Sequence, residues 1–308
     1  MSDSTASLRR KIGSAGDLLS VVRTMKAMAA SSVGQYQRSV LALADYSRTV
    51  EMGLGACFRG SAAAAIARDV SGDVTRDVTS EAKGKSDMGK IGAIVFGSDQ
   101  GLVGQFNEVV TDYALQTLAA LPGKPQFWAV GERVQAHLVD AGMPVLGLFP
   151  VPNSVQAITP LVGQIQIASE TDRARGGYSR VYVFHNRPKS KALYEPVNQR
   201  LLPLDAEWQQ SLVSVPWPTK TLPEVMGATM TLRALLREYL FISLFQACAE
   251  SLASENASRL AAMERADKNI HDLLDTLHGS FQRLRQSSID EELFDVVSGF
   301  EALAKPKH

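Results

Sequence analysis

The sequence predicts an α/β domain with a mostly parallel sheet, inserted between two long terminal helices that pair as an antiparallel coiled coil. Three observations lead to this prediction: the placement of the prolines, an apolar repeat at both ends, and alternating strand and helix patterns between them. The first of the 13 prolines is Pro122, and residues 224–305 contain none. Because proline inside a helix costs about 3 kcal/mol, the two ends of the chain are free to form long helices.

An apolar seam, meaning an apolar residue at every third or fourth position, runs along both ends of the chain. The N-terminal seam comprises Leu8, Ile12, Ala15, Leu19, Val22, Met25, Ala29, Val33, Tyr36, Val40, Leu43, Tyr46, Val50, Leu54 and Cys57. The C-terminal seam comprises Leu235, Tyr239, Ile242, Phe245, Ala249 and Leu252 and then Leu260, Met263, Ala266, Ile270, Leu273, Leu277, Phe281 and Leu284. A helix with a repeat of about 3.5 residues buries its seam against a second helix in a left-handed supercoil.

The two seams lie at opposite ends of one chain, so the simplest arrangement is an antiparallel pair in which each helix buries the other. At about 1.5 Å per residue, the C-terminal helix would extend on the order of 110 Å, a length typical of a rod, lever or spacer. The polar Asn256 on the seam either fixes the register of the pair or stands where the partner helix has ended. Gly13, Gly16, Gly34 and Gly53 either permit close helix approach or mark a bend.

Between the seams, strand and helix patterns alternate. The predicted strands are 91–97, 126–130, 144–150, 180–186 and 191–204, and helical patterns follow the first strand to about Leu121 and extend over 132–142 and 154–169. This alternation is typical of a doubly wound, Rossmann-like sheet whose strands are mostly parallel. The chain is predicted to leave this domain near Pro216 and Pro218.

These patterns divide the chain into four segments. We predict a coiled-coil helix over 1–58, a short helix and linker over 59–89, the Rossmann-like domain over 90–216 and a second coiled-coil helix over 222–304. The linker is inferred from an alanine-rich start that is followed by a run rich in glycine and charge.

Composition limits the classes of function. The chain has 32 Lys plus Arg and 32 Asp plus Glu, so its formal net charge is zero. Non-specific nucleic-acid binding needs a basic excess and is therefore not expected. There is no run of about 18 apolar residues, so we expect no segment to span a membrane. The N-terminal MSDSTASLRRK lacks the apolar core of a signal peptide, and we expect a cytoplasmic protein.

Patterns for catalysis and for metal binding are missing. Cys57 and Cys248 are far apart, show no metal-ligand spacing, and are predicted to be buried thiols. His271 and His278 share a helix face without a third ligand. There is no GxSxG elbow or other nucleophile motif. We therefore predict no catalytic, cofactor-binding or metal site, and a mechanical or scaffold part rather than an enzyme.

The turn GSDQGLVGQFN (97–107) follows a strand and opens a helix, a place where backbone N–H groups can bind phosphate. It lacks both GxxxxGK[ST] and GxGxxG. The favoured interpretation is structural, with Asp99 making a turn or cap and with Gly101 and Gly104 allowing tight packing.

Basic residues cluster at 9–11, at Lys26, and at Arg283 and Arg285. Two interpretations remain open from spacing alone. The cations form a solvated face of the coiled coil, or they meet an acidic surface of a partner.

Three stretches resemble the gamma subunit of F-type rotary ATP synthases, and together they extend over nearly the whole chain. LRRKIGSAGDLLSVVRTMKAMAAS (8–31) is similar to the family's N-terminal helix, with its Arg-Arg-hydrophobic start and Met-Lys-x-x-Ala-Ala core. The turn 97–107 is similar to the family's Ser-Asp-x-Gly-Leu-x-Gly turn. Residues 250–270 and 281–303 resemble the family's closing helix. The matching residues there are Ser254, Glu255, Arg259, Ala262, Met263, Asn269, Arg285, Gln286, Ile289, Glu292, Leu293, Gly299, Glu301 and Ala302.

The chain departs from the family pattern in places. Val22, Arg23 and Thr24 stand where Lys-Ile-Thr is usual, and Phe281 and Gln282 stand where Tyr-Asn is common. The inserted cysteine pair of chloroplast forms is absent, so regulation through thiols is not expected. These departures suggest a divergent or alternate bacterial branch, and one hypothesis is an enzyme that transports sodium instead of protons.

The resemblance implies the function of a central rotor shaft that couples and does not itself catalyse. In that family the paired helices stand in the centre of a hexamer of three alpha and three beta subunits. The α/β domain stands against the epsilon subunit and the membrane ring of c subunits. Ion flow turns the ring and the shaft, and the asymmetric shaft drives the catalytic sites through different affinities. The chain would then lie at the cytoplasmic face of the bacterial inner membrane, touching the membrane only through the c ring.

The resemblance also implies shaft contacts with the catalytic subunit, assigned by motif position. They are Met25, Lys26, Arg285 and Gln286, followed by Arg9 and Arg10. The competing class is a stand-alone coiled-coil adaptor whose α/β domain binds a nucleotide or anion through 97–107. A third class, a cytoplasmic enzyme, is disfavoured because no catalytic constellation is present.

Overall fold

The computed structural model describes residues 4–59, 89–174, 178–189, 192–219, 221 and 228–304. Its helices are α1 (Thr5–Arg59), α2 (Phe106–Ala119), α3 (Glu132–Asp140), α4 (Ile158–Ala174), α5 (Ala206–Ser214) and α6 (Ala228–Ala304). Its strands are β1 (Lys90–Phe96), β2 (Lys124–Val130), β3 (Val145–Phe149), β4 (Tyr178–Lys189) and β5 (Ala192–Leu202). The short helix and linker predicted over 59–89 lie outside the described residues, apart from the two end positions. Among the described helices, none combines the length and the apolar character needed to cross a membrane.

The five strands form one sheet in the order β3-β2-β1-β4-β5. β1 pairs in parallel with β2 and β4, β2 pairs in parallel with β3, and β5 runs antiparallel beside β4. The predicted mostly parallel, Rossmann-like sheet between two long terminal helices is thus confirmed. Parallel strands are joined by crossover helices that cover both faces of a sheet. This explains why β1 is buried at every position after its first residue.

Alternate strand residues enter two separate cores, one on each face of the sheet. The core beneath α2 and α3 contains Ile91, Ala93, Val95, Phe127, Ala129, Tyr182 and Phe184 from the strands, with Val110, Ala114, Leu118, Val134 and Leu138 from the helices. The opposite core contains Ile94, Phe96, Trp128, Val130, Val181 and Val183, with Tyr36 of α1, Ile158, Leu161, Val162 and Ile165 of α4, and Leu244, Ala247, Cys248, Ala249, Leu252 and Ala253 of α6. Both terminal helices therefore help to cover the sheet.

Two local features differ from the sequence prediction. α4 begins at Ile158 rather than at 154, and Pro160 stands in its first turn, where the missing N–H costs nothing. Although α3, which has the same length, was predicted, the nine-residue helix α5 was not. Its signal was Asp205, whose side chain accepts a hydrogen bond from the N–H of Trp208 and so caps the helix.

The chain divides into two compact units, one made of residues 1–29 and 260–308 and the other of residues 30–259. In the first unit, α1 and α6 run antiparallel. Arg9 near the start of α1 meets Phe281, whereas Lys26 meets the earlier residue Asp267. In the second unit, the same two helices pack with the sheet and with α5.

The two predicted seams are covered along almost their whole length. Among the N-terminal seam residues only Tyr46 is exposed, and its hydroxyl donates a hydrogen bond to Glu238. Among the C-terminal seam residues only Leu273 is exposed, because the neighbouring Leu274 takes the half-buried position. Asn256 is half-buried and donates to the carbonyl of Leu252 in its own helix.

Both cysteines are buried and free, as predicted. Burial raises the pKa of the Cys57 thiol and of the Cys248 thiol, and a nearby carboxylate, Glu255, raises that of Cys248 further. Thiols of this kind are weak nucleophiles at neutral pH, which fits a packing role.

Candidate functional site

Two of the predicted contact residues, Met25 and Lys26, lie beside a polar cluster centred on Asp267 of α6. Lys26 Nζ is 3.5 Å from Asp267 Oδ2, and Arg23 Nε is 3.6 Å from Asp267 Oδ1. The Arg23 guanidinium also lies 3.1 Å from Nε2 of His271. Met25 is half-buried. Ion pairs at a partly exposed surface contribute at most about 1 kcal/mol, so these contacts hold Arg23 and Lys26 only weakly.

The other four predicted contact residues lie around Phe281, in the same unit. The Arg9 guanidinium lies over the Phe281 ring, 5.7 Å from its centroid, in a cation–π arrangement. Arg10 is exposed on the same turn of α1. Arg285 and Gln286 are exposed about one turn beyond Phe281. The predicted residues therefore fall into two groups, separated by about 24 Å along α1.

The last part of α6 presents apolar side chains to solvent, a feature that the sequence did not reveal. Residues 285–299 are all exposed. The large apolar ones are Ile289 (53%), Leu293 (62%), Phe294 (71%), Val296 (70%) and Val297 (47%). Most of them recur at helical spacing and so share one face of the helix. An exposed apolar face of this kind indicates a surface that another protein covers.

The outer face of α1 carries a second exposed apolar stripe. Leu18, Val21 and Met28 are more than half exposed, and with Met25 they are spaced by three, four and three residues. Residues at this spacing lie along one face of a helix. Leu18 and Val21 lie before Met25 on this face of α1, and Met28 lies after it.

The glycine-rich turn 97–107 is filled by groups of the chain itself. The Ser98 N–H donates to Asn107 Oδ1 at 2.9 Å, and Asn107 Nδ2 donates to the Ser98 hydroxyl. Gly104 adopts a φ of +61°, which favours glycine. A backbone N–H that already has a buried partner is not available to a phosphate. The predicted structural role of the turn fits this geometry.

Asp99 connects this turn to two other segments. Its Oδ1 accepts a hydrogen bond from the N–H of Glu132 at 3.0 Å, and its Oδ2 accepts one from the N–H of Val151 at 2.9 Å. The carboxylate thus caps the start of α3 and fixes the chain after β3, because charged acceptors form strong bonds to orphan helix N–H groups. A carboxylate at this position also repels anions, so nothing here supports the anion-binding adaptor.

Asp99→Asn is expected to lower the free energy of unfolding by about 0.5–1.5 kcal/mol, because one of the two backbone N–H groups then loses its charged acceptor and faces an amide donor. Urea denaturation followed by tryptophan fluorescence measures the change. Asp112→Asn, an exposed carboxylate on α2, serves as the matched control. An equal loss in both variants would contradict the capping role.

A buried polar cluster joins β4 to α6. Glu250 Oε2 accepts hydrogen bonds from His185 Nε2 at 2.8 Å and from Arg187 Nε at 3.0 Å. Glu250 Oε1 accepts one from Gln246 at 2.8 Å. Burial raises the pKa of Glu250, but the hydrogen bonds from His185, Gln246 and Arg187 outweigh it and lower the pKa to about 2. The sequence hid this cluster because the partners on β4 are more than 60 residues away.

The Glu250 carboxylate should stabilise the fold in a pH-dependent way. Its pKa falls from 4.5 to about 2 on folding, so its contribution is complete above pH 4.5 and is lost as the pH falls toward 2. Glu250→Gln is therefore expected to be less stable than the parent at pH 7, with a gap that narrows in acid. Thermal unfolding of both proteins, at pH 7 and again in acid below pH 4.5, measures the difference in stability. A stability difference that does not change with pH would refute the stabilising role of the Glu250 carboxylate. The control is Glu195→Gln, at an exposed pair with Lys189, which should change stability little at either pH.

Two serines extend the polar contacts of α6. The Ser254 hydroxyl donates to the carbonyl of Asn186 at 2.9 Å, and the Ser258 hydroxyl donates to the carbonyl of Val103 at 2.5 Å. Glu255, between them, pairs with Arg259 at 2.6 Å, yet burial raises the pKa of Glu255. These residues belong to the motif ESLASENASR, so the motif has a structural role in attaching α6 to the α/β domain.

Among the described residues, no group of three or more His, Cys, Asp or Glu side chains is placed to hold a metal ion. The protein combines a seam-packed pair of helices and a Rossmann-like sheet with exposed apolar helix faces. This combination is typical of a subunit that other chains contact.

Comparison with known proteins agrees with this class. A family model described as ATP synthase matches residues 4–303. The ATP synthase gamma chain of Roseiflexus castenholzii is 26% identical over 312 residues, which cover 98% of this chain and 99% of the relative. The gamma chain of Elusimicrobium minutum is 30% identical over 231 residues, covering 72% and 75%. The chain belongs to the ATP synthase gamma chain family.

Solved structures share the fold at lower identity. A chain of the Euglena gracilis mitochondrial ATP synthase rotor superposes with a TM-score of 0.57 at 16% identity, covering 92% of this chain and 98% of that one. A chain of the central stalk and c-ring structure from Tetrahymena thermophila superposes with a TM-score of 0.50 at 19% identity, covering 80% and 99%.

Proposed function

We propose that this chain is the central rotor shaft of an F-type ATP synthase. It couples ion flow through a membrane ring to ATP synthesis or hydrolysis in an alpha-beta hexamer. The observation that carries the proposal is the antiparallel, seam-packed helix pair in a member of the gamma chain family. A shaft must resist twisting, and a supercoiled pair with a packed seam does so because twisting one helix disturbs every seam contact.

The proposed partners are three alpha and three beta subunits, an epsilon subunit and a c-subunit ring. The solved relatives support this choice, since one is a chain of a rotor and the other a chain of a central stalk with its c ring. In this assembly the chain binds no nucleotide and catalyses nothing itself. It lies at the cytoplasmic face of the bacterial inner membrane as a peripheral subunit. The proposed division into domains is unchanged from the sequence prediction, with segments 1–58, 59–89, 90–216 and 222–304.

The proposed contacts with the catalytic subunit are the six residues of the two groups on the helix pair: Arg9, Arg10, Met25, Lys26, Arg285 and Gln286. The exposure of Arg10, Arg285 and Gln286 supports this choice. A rotor must leave each stator position easily, and burying one leucine-sized side chain contributes about 1.5–3 kcal/mol. Weak ion pairs such as those at Asp267 suit a surface that changes partners.

The proposal is tested by co-expressing the chain with cognate alpha and beta subunits, then measuring mass and ATP hydrolysis. A complex with three alpha, three beta and one copy of this chain, which hydrolyses ATP in steady state, is the expected result. A chain that stays apart from cognate subunits that assemble without it would refute the proposal.

A further inference from the structure

Polar side chains recur at four-residue intervals on the part of α6 that packs on the sheet. They are Gln246, Glu250, Ser254 and Ser258, called here the polar stripe. Glu250, Ser254 and Ser258 are each at most 5% exposed. Burying polar groups is costly unless each forms hydrogen bonds. A buried polar run of this kind therefore needs a partner at every position.

The first half of the polar stripe is bonded to β4. Glu250 receives hydrogen bonds from His185 at 2.8 Å and from Arg187 at 3.0 Å. Gln246, one turn earlier, orients the carboxylate by donating to its other oxygen at 2.8 Å. Both oxygens of this buried carboxylate are thus fixed from defined directions.

The second half is bonded to the backbone of the α/β domain. Ser254 donates to the carbonyl of Asn186 on β4, and Ser258 donates to the carbonyl of Val103 in the glycine-rich turn after β1. Asn186 in turn donates its side-chain N–H to the carbonyl of Phe106. The polar stripe therefore reaches β4 and the turn that follows β1, the strand beside it.

Directional bonds hold a helix in a way that apolar contacts do not. A hydrogen bond weakens steeply when its angle or length changes, whereas apolar burial depends mainly on area. Sliding α6 by one residue moves it about 1.5 Å and turns it by roughly 100°. Such a slip would break the bonds of Glu250, Ser254 and Ser258 together, although apolar packing could partly reform.

We propose that the polar stripe locks α6 to the sheet against rotation and sliding, so that torque passes between the α/β domain and the helix pair. The inference rests on the proposed shaft function. Its residues are positioning residues, since they touch no substrate. Stability alone would not require polar groups at these positions, because replacing a whole buried ion pair with apolar groups is often neutral or stabilising, although removing one partner alone is costly. What polar groups add here is a fixed register.

The test uses the complete synthase in lipid vesicles. One complex carries Ser254→Ala with Ser258→Ala. The control carries Ser39→Ala with Ser169→Ala, whose hydroxyls donate to carbonyls of their own helices. A potential-sensitive dye reports ATP-driven pumping whether protons or sodium ions are carried. ATP hydrolysis is measured separately with the membrane potential collapsed.

With the membrane potential collapsed, the variant with Ser254→Ala and Ser258→Ala is expected to hydrolyse ATP at the parent rate. When a potential can build up, it should reach a lower maximal potential than the parent, because α6 slips against the sheet under load. Losing two hydrogen bonds should raise the slipped population roughly tenfold. The control should match the parent in both measurements. A stripe variant that reaches the parent potential would overturn the proposal, as would a control that loses as much. A parent complex that hydrolyses ATP but builds no potential would instead overturn the shaft function, and the role of the stripe with it.

A second variant covers a failure of assembly. Ser258→Ala alone removes a single bond and leaves Glu250 and Ser254 paired, and a smaller loss of potential with normal hydrolysis is expected. If both stripe variants fail to assemble while the control assembles, the stripe serves folding and not torque, and the proposal is overturned.

Discussion

Replacing Arg285 and Gln286 together with alanine is expected to slow ATP hydrolysis and to reduce coupling roughly tenfold or more. Both side chains are exposed on α6, beyond the contact between Arg9 and Phe281. If they bind the catalytic subunit, each charge-assisted hydrogen bond contributes about 1.5–3 kcal/mol, and losing one lowers a rate by about tenfold or more. Because both are exposed, the complex should still assemble. Steady-state ATP hydrolysis and ATP-driven pumping measure the effect.

The matched control changes the same residue types one turn earlier. Gln282→Ala with Arg283→Ala removes an exposed glutamine and an exposed arginine, and Arg283 touches Ser280 of its own helix. This variant should keep at least most of the parent rate. Unchanged coupling in the Arg285 and Gln286 variant, or an equal loss in both variants, would remove those two residues from the proposed contact surface.

Gly131→Ala is expected to unfold or strongly destabilise the α/β domain. Gly131 has a φ of +115°, and a Cβ there would lie 2.8 Å from the backbone N, C and O of Ser98. Backbone atoms of a central turn cannot move aside as a flexible side chain can. The strain of the conformation alone costs about 1–3 kcal/mol, and overpacking adds to it. A domain with about 5–15 kcal/mol of total stability loses much of it.

Gly163→Ala provides the opposite case within the same domain. Gly163 lies inside α4, and a Cβ there meets nothing within 4 Å. This variant should gain up to about 1 kcal/mol, because alanine favours the helix. Urea denaturation of both variants measures the contrast. A Gly131→Ala protein as stable as the parent would show that the turn relaxes, contrary to the geometry.

The parts of the fold with local signals could be predicted from the sequence. The seams repeat within a few residues, and the strands β1 and β2 are short apolar runs ended by glycine-rich turns, so neighbouring residues suffice to find them. The choice between Leu273 and Leu274 could not be made in this way. Both fit the spacing, and only the position of the facing helix decides which one turns inward.

The candidate surface was only partly visible in the sequence. Motif position indicated Arg285 and Gln286, but not the apolar residues that follow. Their exposure depends on where the partner helix begins. α1 begins at Thr5 and Arg9 already meets Phe281, so the described part of α6 after Leu284 has little of α1 beside it. The pairing of Glu250 with β4 was hidden for a related reason, because no local pattern links residues so distant in the chain.

The most direct test of the shaft function is to watch the chain turn. A cysteine introduced at the exposed position Asp112 of α2 would carry a visible probe, while Cys57 and Cys248 are buried. The cognate hexamer with this chain is fixed to a surface through its beta subunits and supplied with ATP. Continuous rotation of the probe in one direction, ceasing when ATP is removed, is the predicted result. A hexamer that hydrolyses ATP while the probe stays still or only fluctuates would contradict the account.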